Sequence, residues 1–379
     1  MKDYICNNEA NILKTWQYLH TIPELAFEEF ATSKWLADKL FEAGFDVKTE
    51  VAGTGVIAKY DTGIDGPQIG FRADMDALQF NVNGEVKASH ACGHDANCTE
   101  ILWAAISIKK SQLLKSGCLT VVFQPAEESL RGADGIIESG ELAGLDYLIG
   151  VHLRPKEELP LGKVSPAVLH GASGSMEIIV HGENAHGARP QQGINAIEAA
   201  ALIISAVHSL HFDPTVPHSV KPTKIASGNT PFNVIPDNVT IIFDMRAQTN
   251  ELMNLLQVKV SDTAVRAGEA IGAHVECRWR GGVPAAQRFD NLIGIAARSI
   301  TESIGNEGLA DTIYTSGGED FHKYAIAYPN LQSTVIGVGA DLVPGLHKID
   351  MRFDTSAIIS AVNVLTTLVL NIQNEYKSK

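Results

Sequence analysis

The chain has 379 residues, of which 45% are apolar, so it can bury a sizeable core and is long enough for two domains. This composition excludes a short peptide and a largely disordered protein. Lysine and arginine total 30 against 44 aspartate and glutamate residues, which gives a formal net charge of -14. Because a nucleic-acid-binding protein needs a basic surface, no nucleic-acid partner is expected.

The cysteines are odd in number and scattered along the chain: Cys6, Cys92, Cys98, Cys118 and Cys277. This pattern argues against a disulfide framework and predicts a reducing, cytoplasmic location. The first thirty residues mix charged and apolar groups, so no secretory signal is predicted. The apolar tract 357–372 is interrupted by polar residues, which favours a buried terminal helix over a membrane span, and no membrane partner is expected.

In chain order, the sequence first predicts two helices and then short apolar strands. Apolar residues recur at helical spacing near residues 12–19 and 30–40, and Gly44 is a candidate C-cap for the second helix. Strands are predicted at 55–60, 67–73, 119–124 and 147–152, with a helix over 96–110. This alternation predicts an α/β domain with a central mixed sheet covered by helices on both faces.

The middle of the chain follows a different pattern, in which the predicted elements run β-α-β-β-α-β over residues 169–282. That order is the split βαβ arrangement of a ferredoxin-like α+β domain. The tract Gly281-Gly282-Val283-Pro284 is predicted to be a hinge, and helices return at 292–303 and 355–373 around a strand at 332–338. We therefore predict a discontinuous domain of residues 1–168 and 283–379 with a second domain, 169–282, inserted into it.

Acidic residues follow two of the predicted strands. Asp74 and Asp76 come at the end of strand 67–73, and Glu127 with Glu128 follows strand 119–124 after Pro125. Sites in open α/β sheets lie at such strand ends, and Pro125 takes the chain out of the sheet. One carboxylate of the Glu pair can then bind a metal while the other faces its water. The alternatives are a solvated strand end for the Asp pair and an acidic helix start for the Glu pair.

Cysteine and histidine occur at three further turns. Cys92 and His94 flank a glycine at a predicted helix start, His152 ends an apolar strand, and His347 lies in a Gly/Pro-rich loop. Taken singly, these can be a buried cysteine and structural histidines. Together with the glutamates they supply the ligand types that divalent transition metals prefer, at four separate junctions between a strand and a loop.

These motifs resemble those of the M20 metallopeptidase clan, and within it the amidohydrolases that include aminoacylases, hippurate hydrolases and auxin-conjugate hydrolases. The resemblance is strongest to the bacillus-type amidohydrolases and runs from about His20 to Asp354 with the motif order preserved. It rests on these tracts: 74–78 (DMDAL), 90–95 (HACGHD), 124–128 (QPAEE), 150–152 (GVH), 233–236 (NVIP) and 317–321 (GGEDF).

The resemblance implies a zinc-peptidase-like catalytic domain that binds two divalent ions, zinc or manganese, with cobalt or nickel as further options. The implied ligands are Cys92, His94, Glu128, His152 and His347. Glu127 is the implied general base. Asp76 is expected next to the ligands and is a candidate to orient His94.

The inserted domain corresponds to the lid of the family, which usually also forms a homodimer. His186 lies where the family has a histidine near the substrate carbonyl, and it is expected to take part in both catalysis and substrate binding. Asn233 and Arg246 match positions that hold a substrate carboxylate. For Arg246 the alternative is an ordinary salt bridge with Asp244 or Glu177. The expected substrate is an N-acyl amino acid or a dipeptide-like molecule.

Two other functions remain open from the sequence. Cys92 can instead be a covalent nucleophile with His94 or His152 as its base, or the chain can be an inactive homologue that only binds metal. The sequence departs from the common family pattern at Gln79, Asn97 and Arg189, and none of these replaces an implied metal ligand.

Overall fold

The structure is a computed structural model that describes residues 2–228 and 231–376. It divides into two compact units. Unit 1 comprises residues 1–169, 287–314 and 320–379, and unit 2 comprises residues 170–286 and 315–319. The sequence placed the boundaries at 168/169 and 282/283 and did not anticipate the short return of the chain to unit 2 at 315–319.

The helices, in chain order, are α1 Lys2–His20, α2 Phe30–Ala43, α3 His94–Lys110, α4 Gly132–Glu138, α5 Ala196–His208, α6 Asn250–Glu269, α7 Asp290–Ile304, α8 Lys323–Ala327 and α9 Ser356–Glu375. The strands are β1 Asp46–Val51, β2 Gly55–Asp61, β3 Gln68–Asp74, β4 Leu78–Val82, β5 Glu85–Ser89, β6 Cys118–Gln124, β7 Tyr147–Pro155, β8 Val164–Ser165, β9 Val168–His170, β10 Ala172–His181, β11 Ala185–His186, β12 His218–Ser227, β13 Val234–Ile235, β14 Asn238–Ala247, β15 His274–Val283, β16 Ile313–Thr315 and β17 Gln332–Leu342.

A mixed sheet forms the centre of unit 1, with the strand order β1-β2-β6-β3-β7-β17-β8. The four strands β6, β3, β7 and β17 run parallel to one another, whereas β1, β2 and β8 are antiparallel additions at the edges. Every residue of β6 is buried, as expected for a strand with helices on both faces. Parallel strands place their carboxyl ends at one edge, so the loops after β3, β6, β7 and β17 lie close together.

Alternate residues of these strands pack into two separate cores, one on each face of the sheet. Val121 and Phe123 of β6 join a large core with α1, α2, α3, α7 and α9. Val122 of the same strand faces the other core, with Ile136 of α4 and Tyr324 of α8. The predicted α/β class with a central mixed sheet flanked by helices is confirmed.

The terminal helix α9 is apolar enough to be compared with a membrane span. By length and composition it could cross a membrane, with a mean hydropathy of 1.5, but 61% of that apolar window is buried inside the protein. Ile358, Leu365 and Val369 are fully buried in the large core of unit 1. The helix therefore has the burial of a core helix, as its interrupted apolar pattern predicted.

Unit 2 is a four-stranded antiparallel sheet with the order β12-β14-β10-β15. Burial alternates strictly along β14, because one face packs against α5 and α6 and the other is more open. Side chains cap both helices: Asn195 accepts a hydrogen bond from the N–H of Ile197, and Thr249 accepts one from Leu252. The element order and topology are those of the predicted ferredoxin-like α+β domain.

The structure corrects two details of the sequence-based prediction. Residues 281–283 are not a hinge, because β15 continues to Val283 and Gly282 still pairs with Gly174 of β10. The hairpin of β4 and β5 was not predicted, since its strands are half-exposed and lack a continuous apolar run.

Candidate metal site

The predicted metal ligands of unit 1 converge at the carboxyl edge of the parallel strands. Cys92 Sγ lies 3.5 Å from His152 Nε2 and 3.4 Å from His347 Nε2. Glu128 Oε1 lies 3.4 Å from His347 Nε2 and 3.9 Å from His94 Nε2. Residues up to 255 positions apart in the chain thus present sulfur, nitrogen and oxygen atoms to a common space.

The side chains form two groups of potential ligands that share one sulfur atom. Cys92, His94 and His152 make one group and Cys92, Glu128 and His347 make the other, with ligand atoms within 4.8 Å of one another in each. A shared thiolate between two sets of nitrogen and oxygen donors suits a pair of ions of the zinc type. His94 also groups with Glu127 and Glu128.

A glycine turn brings Cys92 and His94 to the same side. Gly93 has a φ of 84°, a left-handed conformation that glycine adopts without strain, and it is the N-cap of α3. A Cβ atom at this position would lie 3.1 Å from the Leu153 side chain. The turn therefore requires glycine both for its backbone conformation and for its close packing against β7.

Main-chain carbonyl groups orient two of the histidines. His94 Nδ1 lies 2.8 Å from the Asp76 carbonyl oxygen, and His152 Nδ1 lies 2.6 Å from the Leu153 carbonyl oxygen. Each Nδ1 therefore donates, which leaves the Nε2 lone pair of both rings directed at the site. This is the usual arrangement of metal-binding histidines.

The carboxylate of Asp76 holds the loop that carries the two glutamates. Its oxygens accept hydrogen bonds from the N–H groups of Glu127 at 3.1 Å and Glu128 at 2.9 Å. Asp76 therefore contacts His94 through its main-chain carbonyl and also through its carboxylate, whose Oδ1 lies 3.4 Å from His94 Nδ1, while the same carboxylate binds the Glu127–Glu128 pair. The sequence predicted only that Asp76 orients His94. Its hydrogen bonds to the loop of Glu127 and Glu128 were not predicted.

Glu29 was not singled out from the sequence, although it contributes to the same loop. It is fully buried and accepts a hydrogen bond from the N–H of Ala126 at 2.8 Å, and a second from the hydroxyl of Thr54. Ala126 has a φ of 56°, an unusual value for a residue with a side chain. The only signal in the sequence was an acidic residue before α2, which is indistinguishable from an ordinary helix start.

Unsatisfied atoms show that the cluster suits a cation. Among the described residues, His94 Nε2 and Glu128 Oε1 are buried without a hydrogen-bond partner. Burial lowers the pKa of His94, but the Asp74 carboxylate, 3.6 Å from Nε2, acts together with Cys92 and Asp76 to outweigh burial, so the pKa is raised well above its usual range. Because a proton and a metal ion compete for the same lone pair, this negative environment also favours a metal cation.

The site has a closed side and an open side. Cys92, His94 and His152 are buried, whereas the side chain of His347 is 56% exposed. The N–H of His347 donates to the Ala91 carbonyl at 2.8 Å, which fixes its loop beside Cys92. The site is therefore open to solvent at His347.

The remaining predicted residues lie in unit 2. His186 is exposed at the end of β11, and Asn233 is next to it, since the N–H of Gly187 donates to the Asn233 carbonyl at 2.8 Å. Arg246 on β14 makes two hydrogen bonds of 3.0 Å to the Asp244 carboxylate. The salt bridge considered as the alternative for Arg246 is thus present.

The Peptidase family M20/M25/M40 matches residues 70–371 of the chain. The protein belongs to this family, as the sequence motifs indicated. An IAA-amino acid hydrolase ILR1-like 2 of Arabidopsis thaliana is 33% identical over 333 residues, which cover 84% of this chain and 75% of that protein. The hippurate hydrolase of Campylobacter jejuni is 32% identical over 314 residues, 80% of this chain and 82% of that protein.

Solved structures share the whole fold. A dinuclear metal binding peptidase of the M20 family from Bacillus subtilis superimposes with a TM-score of 0.81 at 27% sequence identity, over 96% of this chain and 98% of that one. Relatives of this chain thus include an IAA-amino acid hydrolase, a hippurate hydrolase and a dinuclear metal binding peptidase.

Proposed function

We propose that this protein is a dinuclear metal-dependent amidohydrolase that cleaves the amide bond of N-acyl amino acids. The proposal rests on the convergence of five potential ligands, with Glu127 beside them: Cys92, His94, Glu128, His152 and His347. Among the described residues, two of the ligand atoms, His94 Nε2 and Glu128 Oε1, are buried without a hydrogen-bond partner. When bound there, two divalent ions would lower the pKa of water and polarise the substrate carbonyl.

Glu127 is the proposed general base and general acid. It lies next to Glu128 in a loop that Asp76 holds rigidly, and it is 94% buried, so its carboxylate is shielded from bulk solvent. Glu127 takes a proton from the attacking water and passes it to the departing amine, which makes one residue responsible for both transfers.

His186 is proposed to donate a hydrogen bond to the oxygen of the substrate carbonyl. The N–H of Ala188 donates to His186 Nδ1 at 3.1 Å, so Nδ1 acts as an acceptor and the proton of the neutral ring resides on Nε2. An Nε2–H group can stabilise the negative charge that develops on the carbonyl oxygen. The exposure of His186 leaves this donor available to a substrate.

Asn233 and Arg246 are proposed to hold the carboxylate of the substrate. The guanidinium fork of Arg246 already grips a carboxylate, that of Asp244, through two nitrogens. A substrate carboxylate would have to compete with Asp244 or share Arg246 with it. A homodimer through unit 2 remains part of the proposal, and the exposed side chain of Ile225 on the edge strand β12 is consistent with it.

Replacement of Glu127 by Gln tests the proposed function. We expect kcat for N-acetyl amino acids to fall by about 10²–10⁴-fold, because proton transfer is lost, while the amount of bound metal stays unchanged. Activity is measured on a panel of N-acyl amino acids and metal content by elemental analysis. Loss of metal in the variant would assign Glu127 to the ligands instead, and an inactive wild type with metal fully bound would support the non-catalytic alternative.

One contact keeps a cysteine hydrolase as the second candidate, since Cys92 Sγ lies 3.5 Å from His152 Nε2. The electrostatics oppose it. Burial raises the pKa of the Cys92 thiol and lowers the pKa of His152 to about 3, which favours a neutral pair over the thiolate and imidazolium of an activated nucleophile. A strong chelator should abolish activity of a metal-dependent enzyme and leave a cysteine hydrolase unaffected.

A further inference from the structure

A buried arginine lies at the carboxyl ends of β3 and β6, within unit 1. Arg72 is 3% exposed and donates hydrogen bonds from Nη1 to Asp74 Oδ2 at 2.9 Å, from Nη2 to Asp320 Oδ1 at 2.8 Å and from Nε to Gln124 Oε1 at 2.9 Å. One guanidinium therefore connects two acids and an amide that belong to three separate segments of the chain.

Asp320 is the second centre of this network. It is fully buried, and its carboxylate accepts hydrogen bonds from Arg72, from Gln124 Nε2 at 2.8 and 2.9 Å, and from the N–H of Ala133 at 2.9 Å. Breaking such a buried, hydrogen-bonded charge costs far more than breaking a surface pair. Asp320 is also the first residue of unit 1 after the return segment 315–319.

Two short paths connect Asp320 to the proposed ligands. Through Arg72 it reaches Asp74, whose Oδ2 lies 3.6 Å from His94 Nε2 and whose Oδ1 accepts a hydrogen bond from Asn97 at 2.9 Å. The second path is the hydrogen bond from Gln124 to Asp320. Gln124 is the last residue of β6, and the chain continues from it to Glu127 and Glu128.

We propose that Asp320 is a positioning residue for the metal-ligating cluster, which acts by fixing Arg72 and Gln124 and thereby the orientation of Asp74 and the Glu127–Glu128 loop. The inference rests on the proposed function in taking Cys92, His94 and Glu128 as metal ligands. It assigns a role to Asp320 of the Gly317–Phe321 motif. The chain re-enters unit 1 at this residue, so the re-entry point helps to support the site.

The test compares Asp320→Asn with Asp146→Asn in the full-length protein. The control is matched because Asp146 also holds β3, through a hydrogen bond from the Gln68 N–H at 2.9 Å, but at the opposite end of the strand. Metal-free protein is titrated with Co²⁺ against a competing chelator, and the visible spectrum, including the band from the Cys92 thiolate to cobalt, reports the ligand geometry.

We expect Asp320→Asn to weaken Co²⁺ binding by about 10–100-fold and to shift the spectrum, as loss of a group behind the ligands usually does, whereas Asp146→Asn leaves both unchanged. The loss in the double variant with Asp74→Asn should be smaller than the sum of the two single losses, because both substitutions interrupt the path through Arg72. Additive losses, or a spectrum and affinity identical to wild type, would overturn the proposal.

A milder variant covers the case in which Asp320→Asn does not fold. Tyr324→Phe removes the hydroxyl that donates to Gln124 Oε1 at 2.9 Å and leaves every charge in place. A smaller loss of Co²⁺ affinity with the same spectral shift supports the proposal, and wild-type binding by the folded variant counts against it. If wild-type protein itself binds no Co²⁺, the proposed function fails instead.

Discussion

The proposed metal ligands of unit 1 and the proposed substrate-binding residues of unit 2 differ in how far their geometry is fixed. Cys92, His94 and His152 are buried, and main-chain carbonyls orient both histidines. His186 and Asn233 are exposed. The fold of unit 1 therefore holds the proposed metal ligands in place, whereas the proposed substrate-binding groups of unit 2 are open to solvent.

Replacement of Cys92 should have the largest effect, because its sulfur belongs to both ligand groups. We expect Cys92→Ala to weaken metal binding by more than the roughly 100-fold that marks the loss of an outer group, and to abolish activity. The matched control is Cys98→Ala, since Cys98 is also a buried thiol near Asp74 but lies outside the ligand groups. Competitive chelator titration measures both, and equal metal affinity of the two variants would contradict the assignment.

Replacement of His186 tests the exposed side of the comparison. His186→Ala should reduce kcat by about 10²–10³-fold through loss of a donor to the developing negative charge, with metal affinity unaltered. His208→Ala is the control, because His208 is likewise exposed in unit 2, at the end of α5. Steady-state kinetics decide the matter: comparable activity of both variants would remove His186 from the reaction.

Replacement of Arg246 should produce a smaller and substrate-dependent loss. We expect Arg246→Ala to lower kcat/KM for N-acyl amino acids by about 10–100-fold, because a hydrogen bond to a charged group contributes about 1.5–3 kcal/mol, and to spare uncharged amides. Asp244→Asn should lower KM for the acidic substrates, since it frees the guanidinium. If Arg246→Ala reduces hydrolysis of both substrate types equally, the residue only supports the sheet.

Glu100 shows that burial alone does not make a site. It lies on α3 with His94, is fully buried, and neither carboxylate oxygen has a hydrogen-bond partner among the described residues. Burial, reinforced by nearby Asp95, raises its pKa well above the usual range. In the unfolded chain Glu100 ionises at its ordinary pKa, so folding becomes less favourable as the pH rises above that value, up to the folded pKa.

Glu100→Met should therefore stabilise the protein by about 1–3 kcal/mol at neutral pH, the usual cost of an unsatisfied buried polar group, without a change in activity. The gain should shrink toward pH 4, where the carboxyl is neutral in both states. Urea unfolding of the metal-free protein at several pH values measures it, with Glu9→Met on the surface of α1 as the control. A stability difference independent of pH would contradict the buried, protonated state.

The sequence by itself determined the fold class and the family. The continuous apolar runs of β3, β6 and β7 predicted strands buried on both faces, and Gly44 predicted the end of α2, where it has a φ of 90°. Local patterns of this kind are sufficient because a helix or strand places its apolar residues at a fixed period. The strand-end motifs likewise predicted a common edge, since parallel strands deliver their carboxyl ends to the same place.

Only the tertiary structure decided which groups support the site. Glu29, Arg72 and Asp320 are far apart in sequence and polar in character, and nothing in their local patterns distinguishes a buried, fully bonded acid from one in solvent. The same holds for Asp76, whose carboxylate contacts both His94 and the N–H groups of Glu127 and Glu128. Hydrogen bonds between residues that are far apart in sequence, such as Arg72 and Asp320, form only once the sheet has packed. The residue types of the predicted ligands, in contrast, can be read directly from the sequence. Their role as metal ligands stays a prediction.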